Sequence, residues 1–282
     1  MPLIDPTAKQ LSFQKYYHYQ SFRKDPCVLG IPEDGGGVSD GFGLTTILRD
    51  KKLFFSDPHD FNDPWDCKPW FDYRPMLEDP VKREQMITFL RRLVSPEMLA
   101  NPLREGYETG IRTDDNKLMK EVEIYSRGLG EQIRKRRVYC LSVIPDSTLM
   151  WSHYSANHRG ICLEFDKDNA LIEKARPVRY RDTYPEWTPQ GAVNDPLELI
   201  LTKSKVWCYE REFRIMGTLL DGPTKLHDNF VILPDGALTA IILGCECKDR
   251  AEVLSIVKEH APCLLVKRAE RVPNHYKLTI TI

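Results

Sequence analysis

The chain has 282 residues, a formal net charge of -1 and a hydrophobic content of 41%, values typical of a globular protein in water. The balanced charge excludes a general affinity for nucleic acid, so such a partner would have to bind a local basic patch. The first residues lack a basic segment followed by an apolar run, and no stretch approaches the roughly 20 apolar residues of a membrane span. We therefore expect a cytoplasmic protein without a membrane partner.

The eight cysteines are scattered and form no C-x-x-C pair. Cys245 and Cys247 are the only close pair, and no nearby His or Cys completes a metal site with them. We expect reduced thiols, mostly buried.

The first predicted strand covers residues 12–22, where aromatic and polar side chains alternate. Lys15 and Tyr17 would lie on one face of this strand and Tyr16 on the other. Aromatic strands of this kind usually belong to a core, although their rings can also stack on a ligand.

Leu44 to Asp50 predicts a short helix, and a strand that ends near Ser56 follows it. The next motif, Phe61-Asn-Asp-Pro-Trp-Asp66, predicts a turn, because the short side chains of Asn62 and Asp63 can bond nearby backbone amides. Polar groups and aromatic rings are dense around this turn, and that mixture is typical of a pocket rim.

Two long helices are predicted between residues 76 and 135, one opening at Asp79-Pro80 and the other at Asp114. Each begins with a capping Asp and carries apolar residues at helical spacing, which in the first helix are Met86, Leu90, Leu93 and Val94. The second ends in four basic residues, which suit a helix C-terminus because of the helix dipole and could also contact nucleic acid. These are Arg134, Lys135, Arg136 and Arg137. We interpret residues 76–135 as a helical insertion within a single domain that covers residues 1–282.

Residues 148–160 predict a helix or a helical turn that Gly160 closes. It carries the densest group of aromatic and imidazole side chains in the chain, namely Trp151, His153, Tyr154 and His158. Because His153 and His158 are five residues apart, they do not share a helix face, and the spacing does not favour a metal site.

The stretch Trp207–Ile215, W-C-Y-E-R-E-F-R-I, is predicted to be a strand. Glu210, Glu212 and Arg214 would then share one face, while aromatic and β-branched side chains would bury the other and fix the register. Two carboxylates and a guanidinium would be held in a row. The same row also occurs as an ordinary solvated strand face with an ion pair.

The rest of the chain predicts short strands and one amphipathic helix, Asp249 to His260. Many short strands with helices clustered between them indicate an α+β fold with a mixed, mostly antiparallel sheet.

Four blocks stand in a characteristic order: Lys15-Tyr16, Phe61-Asn-Asp-Pro64, Trp151-Ser-His-Tyr154 and Tyr209-Glu-Arg-Glu-Phe-Arg214. Their order and spacing resemble a widespread bacterial family of unknown function marked by K-Y, F-N-D-P, W-S-H-Y and Y-E-x-E-[FY]-R. The likeness covers roughly residues 12–245. The basic residue that commonly follows Lys-Tyr in that family is Tyr17 here.

The arrangement is also similar to that of the ADP-ribosyltransferases. Those enzymes have a basic or aromatic first strand, a helix, a second strand ending in a Ser-containing stretch, and a late strand with a catalytic Glu, often as E-x-E. The matching segments here are Lys15 to Tyr17, Leu44 to Asp50, Phe54 to Ser56 and Glu210 to Glu212. The resemblance implies a split sheet of the ADP-ribosyltransferase type.

The same resemblance implies that NAD is the substrate. Loss of nicotinamide gives the ribose oxocarbenium character, which Glu212 would stabilise, while Glu210 would orient or deprotonate the acceptor. Tyr16, Tyr17 or Trp151 would stack on the nicotinamide. The other residues assigned to NAD binding are Lys15, Ser56, Asn62, Asp63, His153, Tyr154 and Arg214.

We therefore expect transfer of ADP-ribose from NAD to nucleic acid or protein, or hydrolysis of NAD, by a bacterial defence or toxin effector with an antitoxin or immunity partner. Two alternatives stay open. One is a Mg²⁺-dependent nuclease or hydrolase, because the chain offers many carboxylate ligands: Asp57, Asp60, Asp63, Asp66, Glu210 and Glu212. The other is a non-catalytic module that senses a ligand.

Overall fold

The computed structural model describes residues 13–22, 43–68, 72, 74–93, 101–185, 196–218, 226–227 and 229–282. The chain divides into two compact units. Unit 1 takes its described residues from 1–56, 137–178 and 208–282, and unit 2 takes its own from 57–136 and 179–207. The expectation of a single domain stays a prediction.

The strands, in chain order, are β1 (Lys15–Gln20), β2 (Lys52–Phe54), β3 (Arg136–Ser142), β4 (Ile161–Asp166), β5 (Arg176–Pro177), β6 (Arg179–Arg181), β7 (Thr202–Ser204), β8 (Glu212–Thr218), β9 (Phe230–Ile232), β10 (Leu238–Leu243), β11 (Leu265–Arg271) and β12 (Leu278–Thr281). The α-helices are α1 (Leu44–Arg49), α2 (Arg74–Glu78), α3 (Pro80–Leu93), α4 (Asn101–Thr113), α5 (Asp115–Arg134), α6 (Thr148–Tyr154), α7 (Pro196–Ile200) and α8 (Arg250–His260).

Within the described residues, unit 1 is built on an eight-stranded sheet with the order β12-β11-β10-β4-β1-β3-β8-β5. At its centre β1 pairs antiparallel with β4 over its full length, from Lys15 opposite Asp166 to Gln20 opposite Ile161. β10 pairs antiparallel with β4 and parallel with β11. The prediction of an α+β protein with a mixed, mostly antiparallel sheet is confirmed.

The two faces of this sheet bury different cores, because successive side chains of a strand point to opposite sides. The larger core packs α1 and α8 against one face. Its buried residues include Tyr16, Leu44, Leu163, Ile241 and Val253. The smaller core lies around α6 on the other face and contains Tyr19, Met150, Trp151, Cys162 and Ile242. This second face is the one that carries the polar side chains described below.

Unit 2 contains the predicted helical segment. The helix expected after Asp114 is α5, and the Asp114 carboxylate accepts hydrogen bonds from the amides of Asn116 and Lys117 at 3.0 and 3.4 Å. The helix expected at Asp79-Pro80 is α3, whose first turn is capped in the same way by Asp79. Both predictions are confirmed.

The apolar stripe of α3 is shorter than the spacing predicts. Met86 and Leu90 are buried with Leu118 and Val122 of α5, but Leu93 is 54% exposed. Val94, also placed in that stripe, lies outside the described residues. None of the helices in the described ranges combines the length and hydropathy needed to cross a bilayer.

Candidate functional site

The segment that leads into β8 is a helical turn and not the predicted strand. Lys205–Glu210 forms a 3₁₀ helix, and β8 begins at Glu212. Between them Arg211 has a φ of 44°, in the left-handed region, so the chain changes direction there. The strand prediction is therefore wrong for Trp207 to Glu210 and right from Glu212 onward. Trp207 and Tyr209, two residues apart, are compatible with both conformations, so the aromatic pattern did not separate them.

Glu212 and Arg214 form a buried ion pair on β8. The Arg214 guanidinium donates from Nε to Oε1 of Glu212 at 2.6 Å and from Nη2 to Oε2 at 2.9 Å. Arg214 is fully buried and the Glu212 side chain is 5% exposed. This two-pronged geometry fixes the carboxylate in one orientation. Removal of one partner from a buried pair would leave the other charge uncompensated, at a cost of about 3–5 kcal/mol.

Glu210 ends the 3₁₀ helix and is equally inaccessible, with 1% of its surface exposed. Its Oε1 accepts a hydrogen bond from the Tyr154 hydroxyl at 2.6 Å, and its main-chain carbonyl accepts one from the Ser142 hydroxyl at 2.7 Å. Ser142 Oγ in turn accepts from the amide of Ile144 at 3.1 Å. These bonds tie the glutamate to α6 and β3. Glu210 is therefore held in place even though it is not part of β8.

His153 and Tyr209 border this pair of carboxylates. The His153 ring is exposed, and its centroid lies 6.1 Å from Tyr154 and 6.4 Å from Tyr209. Both tyrosines are half-buried. We use the name acidic corner for His153, Tyr154, Tyr209, Glu210, Glu212 and Arg214. It combines fixed carboxylates with an imidazole that solvent can reach.

A row of polar side chains continues from the acidic corner across the sheet. Tyr17 of β1 lies opposite Ser142 of β3 and opposite Glu164 of β4, so the three side chains share one face. Glu164 is buried and accepts hydrogen bonds from Lys267 Nζ at 2.6 Å and from the Thr239 hydroxyl at 2.9 Å. Burial, together with the nearby Glu164 carboxylate, raises the pKa of Tyr17 to about 12.

Sequence reasoning missed Glu164, Ser142 and Lys267. A signal for Glu164 was present, because the strand I-C-L-E-F places one carboxylate among apolar residues. A buried strand tolerates such a residue only when a partner is supplied. That partner, Lys267, comes from β11, about 100 residues further along the chain.

Two residues assigned to ligand stacking belong to the cores instead. Tyr16 lies on the opposite face of β1, where its ring contacts Phe13 and Phe213 at centroid distances of 5.0 Å. Trp151 has no exposed surface, and its indole N–H donates to the Pro145 carbonyl at 2.8 Å. Neither ring presents a free face to a nicotinamide, so these assignments are corrected. Tyr17 remains the stacking candidate.

Lys15 and Ser56 make structural contacts in unit 1. Lys15 Nζ lies 3.6 Å from the Asp166 carboxylate at the end of the β1–β4 pair. Ser56 forms a two-way backbone bridge with Val138, with both N–O distances at 2.9 Å. Their assignment to NAD binding stays a prediction.

Asn62 and Asp63 lie in unit 2, where they form the predicted turn. Asp63 is buried, and its carboxylate accepts a hydrogen bond from the amide of Trp65 at 2.9 Å. Asn62 is exposed. The prediction that these two residues share a site with the acidic corner is not tested.

The basic run after α5 is divided between two elements. Arg134 ends the helix and lies 3.8 Å from Glu131, whereas Arg136 and Arg137 begin β3. The Arg137 Nε donates to the Asn229 side-chain oxygen at 2.7 Å. Contact of this run with nucleic acid stays a prediction, as does any role for Lys135.

Most of the carboxylates proposed as magnesium ligands are bonded to other groups of the protein. Asp57 and Asp63 accept hydrogen bonds from amides within their own turns, and Asp66 lies 3.5 Å from Lys203. Across the part of the chain that the structure describes, no three His, Cys, Asp or Glu side chains are grouped so as to hold a metal ion. The donor geometry therefore lends no support to the magnesium-dependent alternative.

The fold and the site together define an α+β protein with a buried acidic corner on one face of its main sheet. Over residues 150–215 the sequence matches the model of a family described as "Protein of unknown function (DUF2971)". The matched segment contains most of α6, all of β4 and the start of β8, and with them all six residues of the acidic corner. The resemblance to a family of unknown function is thus supported over this segment. No curated protein and no solved structure matches the chain.

Proposed function

We propose that the protein cleaves the bond between nicotinamide and ribose in NAD and transfers ADP-ribose to a macromolecular acceptor or to water. The observation that carries this proposal is the pairing in the acidic corner. Glu210 and Glu212 are two residues apart, both buried, and each is fixed by a different partner. Carboxylates held in fixed directions suit a reaction in which positive charge develops on a sugar.

Glu212 takes the role of stabilising the ribose. When the glycosidic bond breaks, its electron pair leaves with nicotinamide, and the positive charge moves to the ribose ring. Arg214 holds the Glu212 carboxylate fixed in direction, so that it can accept hydrogen bonds from ribose hydroxyls as that charge develops.

Glu210 takes the role of the base. An acceptor oxygen or nitrogen forms the new bond to the ribose carbon and must lose its proton. Glu210 receives that proton, and the hydroxyl of Tyr154 holds the carboxylate in position. With water as the acceptor the same step gives free ADP-ribose.

NAD is held by side chains in and beside the acidic corner. Tyr17 stacks on the nicotinamide, and the exposed His153 donates to a phosphate oxygen. The eight-stranded sheet is proposed to be a form of the ADP-ribosyltransferase sheet, with E-x-E at the entry to a late strand. In a bacterial cell the activity would deplete NAD or mark macromolecules. Both outcomes suit a defence or toxin effector that an immunity partner restrains.

The test is release of nicotinamide from NAD by the purified protein, followed by chromatography, with water, nucleic acid and protein as acceptors. Glu212→Gln and Glu210→Gln keep the size of each side chain and are expected to lower kcat by about 100-fold or more. Glu270→Gln is the matched control, because Glu270 is exposed on β11 and pairs only loosely with Arg268 at 3.8 Å. It should leave the rate unchanged.

Two results would contradict the proposal. If the protein neither binds NAD nor releases nicotinamide with any of the three acceptors, the glycosyl-transfer chemistry is wrong. If NAD binds but is not consumed, and Glu212→Gln leaves both the affinity and the cellular effect intact, the ligand-sensing alternative replaces it.

A further inference from the structure

Unit 2 contains a concave site that the proposed reaction does not use. It is a cavity of about 250 Å³. Its walls include Trp65, Arg181, Thr183, Tyr184, Lys203 and Ser204. Ligand pockets commonly measure about 300–1,000 Å³, so this cavity suits a small ligand and not an extended one.

The loop that carries Trp65 is held rigidly while the ring itself is open to solvent. The Trp65 amide donates to Asp63, and Lys68 Nζ donates to the carbonyls of Phe61 and Asp63 at 3.0 and 3.2 Å. Lys68 also accepts a hydrogen bond at its carbonyl from the Tyr184 hydroxyl at 2.8 Å. Trp65 nevertheless remains 56% exposed. An indole that is carried on a fixed loop and exposed at a cavity offers a face on which a flat ring can stack.

Most of the charged side chains around the cavity are offset by a neighbour of opposite charge, and one cation is not. Lys203 lies 3.5 Å from the buried Asp66, and Lys205 lies 2.9 Å from Asp182, so these four charges offset one another. Arg181 is exposed and has no ion-pair partner among the residues that the structure describes. A planar guanidinium of this kind binds phosphate through two parallel hydrogen bonds.

We propose that this cavity binds a nucleobase that carries a phosphate, with the base on Trp65 and the phosphate on Arg181. The hydroxyl groups of Thr183 and Ser204 also line the cavity, and they supply donors and acceptors for the polar edge of the base or for the ribose. The volume suits one nucleotide. The ligand is therefore a mononucleotide or a terminal nucleotide of a nucleic acid strand.

Calorimetric titration of the full-length protein tests this proposal with five probes: AMP, GMP, adenosine, ribose 5-phosphate and inorganic phosphate. At least one nucleotide should bind, and more tightly than the nucleoside or the sugar phosphate, because only the nucleotide contacts both groups. A short oligonucleotide with a terminal phosphate is titrated as well, to distinguish a free mononucleotide from the terminal nucleotide of a strand. Binding that prefers the mononucleotide indicates a free nucleotide, and the reverse preference indicates a strand end.

The variants distinguish the cavity from the rest of the surface. Trp65→Ala should weaken nucleotide binding about 10-fold, while Trp65→Phe, which keeps a stacking face, should recover most of it. Arg181→Ala should weaken the nucleotide but leave adenosine unchanged. Arg74→Ala is the control, because Arg74 is 78% exposed, lies outside the cavity and pairs with Asp72.

The proposal is overturned if no nucleotide binds, or if Trp65→Ala and Arg181→Ala bind the nucleotide as the wild type does while their melting curves show them folded. This outcome is independent of nicotinamide release, which is measured on variants of the acidic corner in unit 1.

Discussion

His18 lies half-buried on β1, in surroundings that favour its neutral form. Its Nδ1 lies 2.7 Å from the Cys140 carbonyl and donates to it, and its ring stacks on Tyr139 with centroids 4.2 Å apart. Removal from water lowers the pKa of His18 to about 4, and the hydrogen bond to Cys140 opposes part of that shift. In the unfolded chain the pKa is 6.5. The folded and unfolded states therefore bind different numbers of protons between these two values.

This difference predicts a loss of stability in acid. As the pH falls from about 6.5 to about 4, the unfolded state gains a proton that the folded state does not take up, so the free energy of unfolding should decrease. The contribution of this one side chain is about 2–3 kcal/mol over that window, and it levels off below the folded pKa. Chemical denaturation at a series of pH values measures it.

His18→Gln removes the titration and keeps a side-chain donor, so the free energy of unfolding should fall less steeply with acid in this variant than in the wild type. His275→Gln serves as the control because His275 is exposed, and it should preserve the wild-type slope. Equal slopes for wild type and His18→Gln would show that the folded protein binds this proton as readily as the unfolded chain does.

At the residue scale the sequence predicts which side chains share a face better than which of them are buried. Alternation along E-F-R correctly places Glu212 and Arg214 on one side of β8. It does not reveal that Arg214 is fully enclosed, nor that Trp151 is a core residue. Burial depends on packing from distant segments, and a local pattern carries no information about those.

At the scale of elements, the junction between α6 and β4 depends on a close approach of the backbone. A Cβ atom on Gly160 would overlap the main-chain oxygen of Gln20 and crowd the Ser155 hydroxyl. Ser155 Oγ itself lies 3.1 Å from the Ile161 carbonyl and 3.2 Å from that of Gln20. Only glycine fits there. The glycine predicted to close the helical turn thus also lets β1 and α6 come together.

Gly160→Ala is therefore expected to lower the free energy of unfolding by at least about 2 kcal/mol, because rigid backbone would have to move. Gly106 provides a matched comparison on α4, where a Cβ would meet nothing within 4 Å. Gly106→Ala should raise the stability by about 0.5–1 kcal/mol, since alanine is the better helix former. Thermal and urea unfolding measures the change in the free energy of unfolding for each variant, and the two changes should have opposite signs. A Gly160→Ala protein as stable as the wild type would mean that this junction can accommodate a Cβ atom.

Elements with local signals were predictable, and those set by distant partners were not. The starts of α3 and α5 follow from capping aspartates, whose hydrogen bonds lie within the same helix. The turn before β8 has no such signal. It depends on the left-handed backbone of Arg211 and on the bond from Ser142, which is 68 residues away, to the carbonyl of Glu210.

At the scale of the whole molecule, each compact unit is assembled from separate stretches of sequence. Unit 2 joins residues 57–136 to residues 179–207, and the pairing of β6 with β7 lies entirely in the second stretch. The sequence predicted the helical part of this unit but did not predict that residues 179–207 belong to it. Patterns of a few residues reveal a helix, whereas the association of distant stretches depends on surfaces that form only when the chain folds.

Thiol labelling can follow the two units independently. Cys162 is buried in unit 1, where burial raises the pKa of its thiol well above the ordinary value, and Cys67 is buried in unit 2. Cys208 and Cys263 are exposed. Since the thiolate is the reactive form and needs access to the reagent, we expect iodoacetamide to label Cys208 and Cys263 in the native protein and to spare the two buried thiols. Peptide mass spectrometry resolves each site.

With increasing urea, labelling of Cys162 should report the opening of unit 1, and labelling of Cys67 that of unit 2, because each thiol becomes reactive only when its own surroundings open. Cys208→Ser and Cys263→Ser should each remove the labelling at its own site without shifting either urea transition, since neither exposed thiol belongs to the cores described above. If Cys162 or Cys67 were labelled in native buffer as fast as the exposed pair, the packing around that residue would be wrong. For Cys162, this result would also contradict the smaller core to which it belongs.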